Sequence, residues 1–170
     1  MQLNKDLKFI FSVENFLSAP ELFELQDNLL KLDYVHLNRE DEENTHYGFG
    51  CNLDPNENKI KELVKKVKKT FHPHTDLKIS QSRAHLRYNN NKPLPHADYG
   101  YYAFLLYVKG ESLFNNGTGF YTDEGNLYHH IGFKENTALF FNANKIFHTT
   151  LQSFGESTAR YCVNIFYEIE

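Results

Sequence analysis

Apolar positions along this chain change their period once, near residue 79. Before that point the spacing is helical. Ser18, Ala19, Pro20 and Glu21 form a helix start: Ser18 can cap, Glu21 can complete a capping box, and Pro20 suits the first turn. Leu22, Leu25, Leu29 and Leu32 then make an apolar stripe. Asp54, Pro55, Asn56 and Glu57 repeat the start signature, followed by Ile60, Leu63, Val64, Val67 and Phe71. Lys61, Lys65, Lys66, Lys68 and Lys69 occupy the opposite side and are expected to be a solvated face. Leu7 to Val13 reads as an opening strand. Asn38 to Gly50 is too polar to build a core and is expected to be a mobile loop at the entrance to a site.

After residue 79 the period is that of strands. The segments are Ser82 to Tyr88, Tyr101 to Val108, Gly119 to Thr122, Leu127 to Phe133, Thr137 to Phe141, Phe147 to Leu151 and Arg160 to Glu168, punctuated by Gly, Asn and Pro. Helices followed by a run of short strands is an α+β plan. The strands are expected to close into a barrel or two-sheet roll, buttressed on one sheet by the helices. The whole chain, 1–170, then reads as a single domain with a helical preface, 1–78, and a β core, 79–170.

Composition narrows the class. A net charge of -4 argues against a general nucleic-acid binder, and no apolar run approaches membrane-spanning length. Cys51 and Cys162 fit no zinc spacing and read as free thiols of a reducing compartment, which places the protein in the cytoplasm. The 15 Phe and 11 Tyr, with abundant Asn and Lys, fit an AT-rich genome such as that of a virus or a bacterium. That bias carries no chemistry.

The chemistry lies in His96, Ala97 and Asp98, just before the most apolar strand, and in His148 on a late strand. Side chains two apart on an extended segment share a side. Two imidazoles and one carboxylate can occupy one face of an octahedral Fe(II), leaving positions open for other ligands. Chance alone yields roughly 0.4 His-x-Asp triplets in a chain this rich in both residues, and a second one exists, His74, Thr75, Asp76. It follows a basic helix beside Pro73 and precedes no long apolar strand, so it is expected to be a surface decoy. His129 and His130 are adjacent, face opposite sides of one strand, and are expected to be structural or substrate-side. Arg83, His85 and Arg87 share a face and are expected to lie outside the barrel.

Several of these segments together resemble a known family. They are Arg87, Tyr88; Pro95, His96, Ala97, Asp98, Tyr99; Leu105, Leu106, Tyr107; Gly117, Thr118, Gly119, Phe120, Tyr121; Ala138, Leu139, Phe140, Phe141; Phe147, His148, Thr149; and Phe154, Gly155 with Arg160. The pattern is similar to that of prolyl-4-hydroxylase-like Fe(II)/2-oxoglutarate dioxygenases and to a small branch of that superfamily. It runs from about residue 80 to residue 168. The resemblance implies a distorted double-stranded β-helix, a jelly-roll variant with N-terminal buttressing helices. It implies His96, Asp98 and His148 as iron ligands and Arg160 as the partner of the distal carboxylate of 2-oxoglutarate. A guanidinium suits that role because its parallel N–H groups match a carboxylate. Tyr88, Tyr107 and Cys162 would stand near the cosubstrate, Cys162 where many relatives have Ser. The spacing from His148 to Arg160 is somewhat longer than usual, and Asn116 replaces a usual Gly.

The implied reaction consumes O2 and 2-oxoglutarate, releases succinate and CO2, and hydroxylates a substrate C–H bond. The substrate, a small molecule or a peptidyl residue, is left open, as is the oligomeric state. Two other readings stay open: a cupin-like metalloenzyme that does not use 2-oxoglutarate, and a non-catalytic ligand-binding barrel.

Overall fold

The computed structural model describes residues 8–37, 48–71, 77–87, 94–98, 102–151 and 159–169. In chain order these form β1 (Ile10–Val13), α1 (Ala19–Leu29), β2 (Val35–His36), β3 (Phe49–Asn52), α2 (Asn58–Phe71), β4 (Leu77–Arg87), β5 (Tyr102–Lys109), β6 (Leu113–Tyr121), β7 (Leu127–Phe133), β8 (Thr137–Phe141), β9 (Phe147–Thr150) and β10 (Arg160–Ile169). A seven-stranded sheet runs β1-β8-β5-β10-β4-β3-β2, and a three-stranded sheet runs β7-β6-β9. Residue His96 bridges antiparallel to His148, extending the smaller sheet beyond β9.

This order is a jelly roll. From β4 onward the chain passes from the large sheet to the small one at His96 and returns for β5. It crosses again for the β6–β7 hairpin, returns for β8, crosses for β9 and finishes on the large sheet with β10. Among the described residues, the strand pairings of the large sheet are antiparallel. The sequence pattern thus found the winding, with two differences. β4 starts at Leu77, inside the expected helical preface. That preface also contributes β2 and β3, which lengthen the large sheet. Phe49 and Gly50, expected in a mobile loop, are strand residues paired with Leu86 and His85. The rest of that expected loop, 38–47, lies outside the described residues.

Strand parity splits the apolar residues into two cores. Tyr102, Phe104, Leu106 and Val108 of β5 join Ala138 and Phe140 of β8 and Val163, Ile165 and Tyr167 of β10. Against them pack Phe16, Leu17, Leu29, Ile60, Leu63, Val67 and Phe71 from the helical layer. The alternate residues Ala103, Tyr107, Leu139, Phe141 and Cys162 face the other way and meet Phe120 and Phe133 between the sheets. β8 is buried at every position because both its faces are covered. That is why its sequence shows an unbroken apolar run rather than alternation.

The helical layer is fastened at two points. Glu21 accepts hydrogen bonds from the Ser18 N–H (2.7 Å) and hydroxyl (2.6 Å), so the expected start of α1 is in place. Asn136, with φ of 64°, clamps Leu17: its Oδ1 accepts from the Leu17 N–H and its Nδ2 donates to the Leu17 carbonyl, both at 2.7 Å. α2 begins at Asn58, four residues after Asp54, whose side chain instead closes the preceding turn on the Asn56 N–H. Among the described residues, no helix is long and apolar enough to cross a membrane.

Candidate active site

His96 and His148 are held side by side by paired backbone hydrogen bonds. The His96 N–H donates to the His148 carbonyl (3.1 Å) and the His148 N–H to the His96 carbonyl (2.9 Å). Their ring centroids lie 5.0 Å apart. Asp98, two residues on, is anchored through its N–H to the Ala143 carbonyl (2.9 Å), and its own carbonyl accepts from Asn144 Nδ2 (3.2 Å). Its carboxylate then reaches both rings, at 3.7 Å from His96 Nε2 and 3.2 Å from His148 Nε2. The three ligand atoms lie within 4.8 Å of one another, the sole such group among the described residues.

The second ring nitrogens make this a donor set. His96 Nδ1 lies 3.1 Å from the Leu94 carbonyl, and His148 Nδ1 lies 3.0 Å from the Ile146 carbonyl. A carbonyl oxygen only accepts, so each Nδ1 carries a hydrogen, which leaves each Nε2 as the nitrogen that can ligate a metal beside Asp98. Backbone partners of this kind orient the ligands of metal sites. Burial, and then the neighbouring His148, push His96 toward its neutral form. Burial raises Asp98, but hydrogen bonding and charge from His148, then His96 and His85, outweigh it and hold the carboxyl below its usual range. Two imidazoles and a carboxylate fit a divalent iron with open positions.

A cationic group stands two residues along β9 from His148, at Thr150. Arg160 opens β10 and is 4% exposed. Its Nη1 donates to Asn116 Oδ1 (3.3 Å) and the Gly117 carbonyl (3.5 Å), and its Nη2 donates to Thr150 Oγ1 (3.2 Å). The guanidinium lies over the rings of Tyr107 (5.7 Å) and Phe133 (5.2 Å). Such contacts stabilise a desolvated cation by about 0.5–2 kcal/mol. Gly117 permits the arrangement: a Cβ there would collide with the Ile131 carbonyl and stand 2.8 Å from the Gly132 carbonyl carbon. Tyr107 is fully buried, with its hydroxyl bonded to Thr118 Oγ1 (2.7 Å) and donating to the Ile131 carbonyl (3.3 Å). It therefore presents its ring face to Arg160. Burial pushes the Tyr107 hydroxyl and the Cys162 thiol above their usual ranges.

One expectation is overturned. His85 and Arg87 do not lie outside the barrel. β4 pairs Arg87 with Arg160 and His85 with Cys162, and directly paired residues point to the same side of a sheet. Arg87 donates from Nη1 to Thr150 Oγ1 (3.0 Å). Burial, and then the Arg160 charge, pull Arg87 down to about 10, so it remains a cation at neutral pH. Burial, then the charges of Arg87 and Arg83, hold His85 down at about 3, so its imidazole is neutral. Arg83 is directly paired with Asn52 of β3, and its Nε donates to Asn52 Oδ1 (3.1 Å) on an exposed part of the sheet.

The structure thus brings together His96, Asp98, His148, Arg160, Tyr107 and Cys162. Tyr88 and the His74–Asp76 triplet lie outside the described residues. His129 and His130 divide as their adjacency requires: His129 stacks on Phe120 and His130 meets the edge of Phe114. Sequence reasoning missed Thr150 and gave Asn116 no role. Thr150 was within reach of strand parity, since it follows His148 by two on β9 and so shares its face.

No protein-family model and no curated protein sequence matches the chain. Solved structures do match its fold. A prolyl hydroxylase from Trichoplax adhaerens, solved with a peptide fragment of the hypoxia inducible factor oxygen degradation domain, aligns over 94% of this chain and 83% of its own, with a TM-score of 0.75 and 13% identity. HygX from Streptomyces hygroscopicus, solved with nickel and 2-oxoglutarate, aligns over 96% and 84%, with a TM-score of 0.72 and 11% identity. The viral collagen prolyl hydroxylase vCPH from Paramecium Bursaria Chlorella virus-1, in its 2-oxoglutarate complex, aligns over 95% and 97%, with a TM-score of 0.67 and 14% identity. At these identities the likeness is one of architecture, and the chain has the jelly-roll fold of the Fe(II)- and 2-oxoglutarate-dependent oxygenases.

Proposed function

We propose that this protein is an Fe(II)- and 2-oxoglutarate-dependent dioxygenase that hydroxylates a small-molecule or peptidyl substrate and releases succinate and CO2. The observation that carries the reading is the pairing of two features along β9. His96, Asp98 and His148 bring two imidazole nitrogens and a carboxylate within 4.8 Å of one another, and buried Arg160 is hydrogen-bonded to Thr150, two residues on from His148. A pair of imidazoles beside a carboxylate alone would not need Arg160, whose two-pronged guanidinium suits a carboxylate ligand.

In this reading His96, Asp98 and His148 hold Fe(II), and Arg160 binds the distal carboxylate of 2-oxoglutarate. Iron with 2-oxoglutarate and O2 supplies the oxidising chemistry when bound. The chain positions and shields. Thr150 and Asn116 hold the Arg160 fork in place. Tyr107 and Phe133 give it an apolar floor, where a charged hydrogen bond gains strength from the exclusion of water. Cys162 lies beside this floor, and Tyr88 keeps the cosubstrate-side role that the family resemblance implies. HygX has also been solved with hygromycin B bound, and the Trichoplax enzyme with a peptide. Both substrate classes therefore stay within the proposal, since the fold does not choose between them.

The test is turnover of the iron-loaded protein. Succinate should appear from 2-oxoglutarate in the presence of O2. Oxygen uptake without succinate would instead indicate a cupin-like metalloenzyme, and neither would indicate a non-catalytic barrel.

A further inference from the structure

Arg87 has no part in the reading above, yet it reaches the same oxygen as Arg160. Its Nη1 donates to Thr150 Oγ1 at 3.0 Å, and Arg160 Nη2 donates to that atom at 3.2 Å. A hydroxyl oxygen has two acceptor positions, and here both are taken by guanidinium groups from neighbouring strands. The two cations come from directly paired positions of β4 and β10. Among the described residues no carboxylate forms an ion pair with Arg87, and Thr150 is its sole hydrogen-bond acceptor. Like charges held this close repel. The protein as a whole is acidic, at -4, so this local excess of positive charge is not an overall bias.

We infer that Arg87 is a second anchor for the distal carboxylate of 2-oxoglutarate, closing on it from β4 while Arg160 closes from β10. The inference rests on the dioxygenase reading. One shared anion fits better than two separate ones, because both forks converge on a single oxygen. Position along β9 agrees. Thr150 follows the ligand His148 by two residues, a rise of about 6–7 Å along an extended strand. A five-carbon dicarboxylate spans that distance from the metal to the arginine pair. A carboxylate between the two forks would accept from both arginines and relieve their repulsion. Arg87 is therefore a binding and specificity residue, selecting a keto acid with a distal carboxylate over one without.

The test is calorimetric titration of the intact Mn(II)-loaded protein with 2-oxoglutarate and, separately, with 2-oxobutyrate, which lacks the distal carboxylate. Arg87→Ala should weaken 2-oxoglutarate binding tenfold or more while leaving Mn(II) affinity and the weak binding of 2-oxobutyrate unchanged. Arg87→Lys, which keeps charge and bulk, should recover part of the loss. Combined with Arg160→Ala, Arg87→Ala should cost less than the sum of the two single losses, because both residues act on one group. Wild-type affinity for 2-oxoglutarate in Arg87→Ala would overturn the assignment. Equal loss of both keto acids would also overturn it, by making Arg87 a support for the fold of the site. If the wild-type protein binds no 2-oxoglutarate, the dioxygenase reading itself falls, and the shared anchor with it.

Discussion

The large sheet has two faces that obey different physics, although the same strands build both. Toward the helices, Phe104, Leu106, Phe140, Val163 and Ile165 interlock with Phe16, Leu63, Val67 and Phe71 in an apolar cluster. Toward the small sheet, the alternate residues include Arg160, Cys162, His85 and Arg87, and across from them stand the metal-ligand candidates. The first face is a matter of volume, where a lost side chain leaves a cavity. The second is a matter of lone pairs and charge, where a lost side chain leaves a partner unmatched. The strand alternation that separates them lets the site hold two arginines and a carboxylate within one residue's thickness of the main core.

That contrast can be broken by substitution. The largest effect is expected at the metal end. His96→Ala, Asp98→Ala or His148→Ala should each cut Fe(II) affinity by more than the roughly 10- to 100-fold that loss of an outer-shell partner costs. Melting of the metal-free protein should change little, because the helix-facing core is untouched. Competition with a chelator measures the first quantity, and retention of wild-type affinity in any one variant would remove that residue from the ligand set.

Phe104→Ala tests the opposite face. Phe104 is fully buried against the Phe16 and Phe71 rings, so truncation should destabilise the fold by about 3–5 kcal/mol. Urea unfolding gives this figure. The folded fraction should still bind Fe(II) and 2-oxoglutarate as wild type does, and a parallel loss of ligand affinity would mean that the two faces are not independent.

Arg160→Ala should leave Fe(II) binding nearly intact and weaken 2-oxoglutarate. A charged hydrogen bond contributes about 1.5–3 kcal/mol, which is roughly a tenfold to over a hundredfold change in affinity. Arg160→Lys should fall between, since it keeps the charge and loses the two-pronged geometry. The metal-to-ligand charge-transfer band of the anaerobic Fe(II) protein reads this out.

The smallest effect belongs to the helical layer. Glu21 is held at about 2 instead of 4.5 by hydrogen bonds from Lys66 and Ser18. A carboxyl with a depressed folded-state value stabilises above its unfolded value and loses that contribution as pH falls through the folded one. Acid unfolding should therefore contain a component between pH 4.5 and about 2 that Glu21→Gln removes. The carboxylate is 49% exposed, so solvent screening keeps the contribution below about 1 kcal/mol. A wild-type acid profile in Glu21→Gln would deny the link between the first and second helices.

Much of this molecule is legible in one dimension, and the reason is local. A helix start, an apolar stripe and a strand alternation are each set within a few residues. The capping of α1 and the bounds of β7 and β8 accordingly follow from the pattern alone. The spacing of His96 and Asp98 belongs to the same class, because two residues on one extended segment must share a side. Period two, however, says which residues are together and not which side is inside. Arg83, His85 and Arg87 make a polar row that reads as solvent-facing, and only the pairing of β4 with β10 turns His85 and Arg87 toward Cys162 and Arg160. β2 and β3 are too short to show a period, and they exist as strands because β4 offers them an edge. The meeting of Arg87, Arg160 and Thr150 joins three strands far apart in the chain. Local pattern determined the parts and their faces. The register between distant strands, set by how the two sheets close on each other, decided which face became the site.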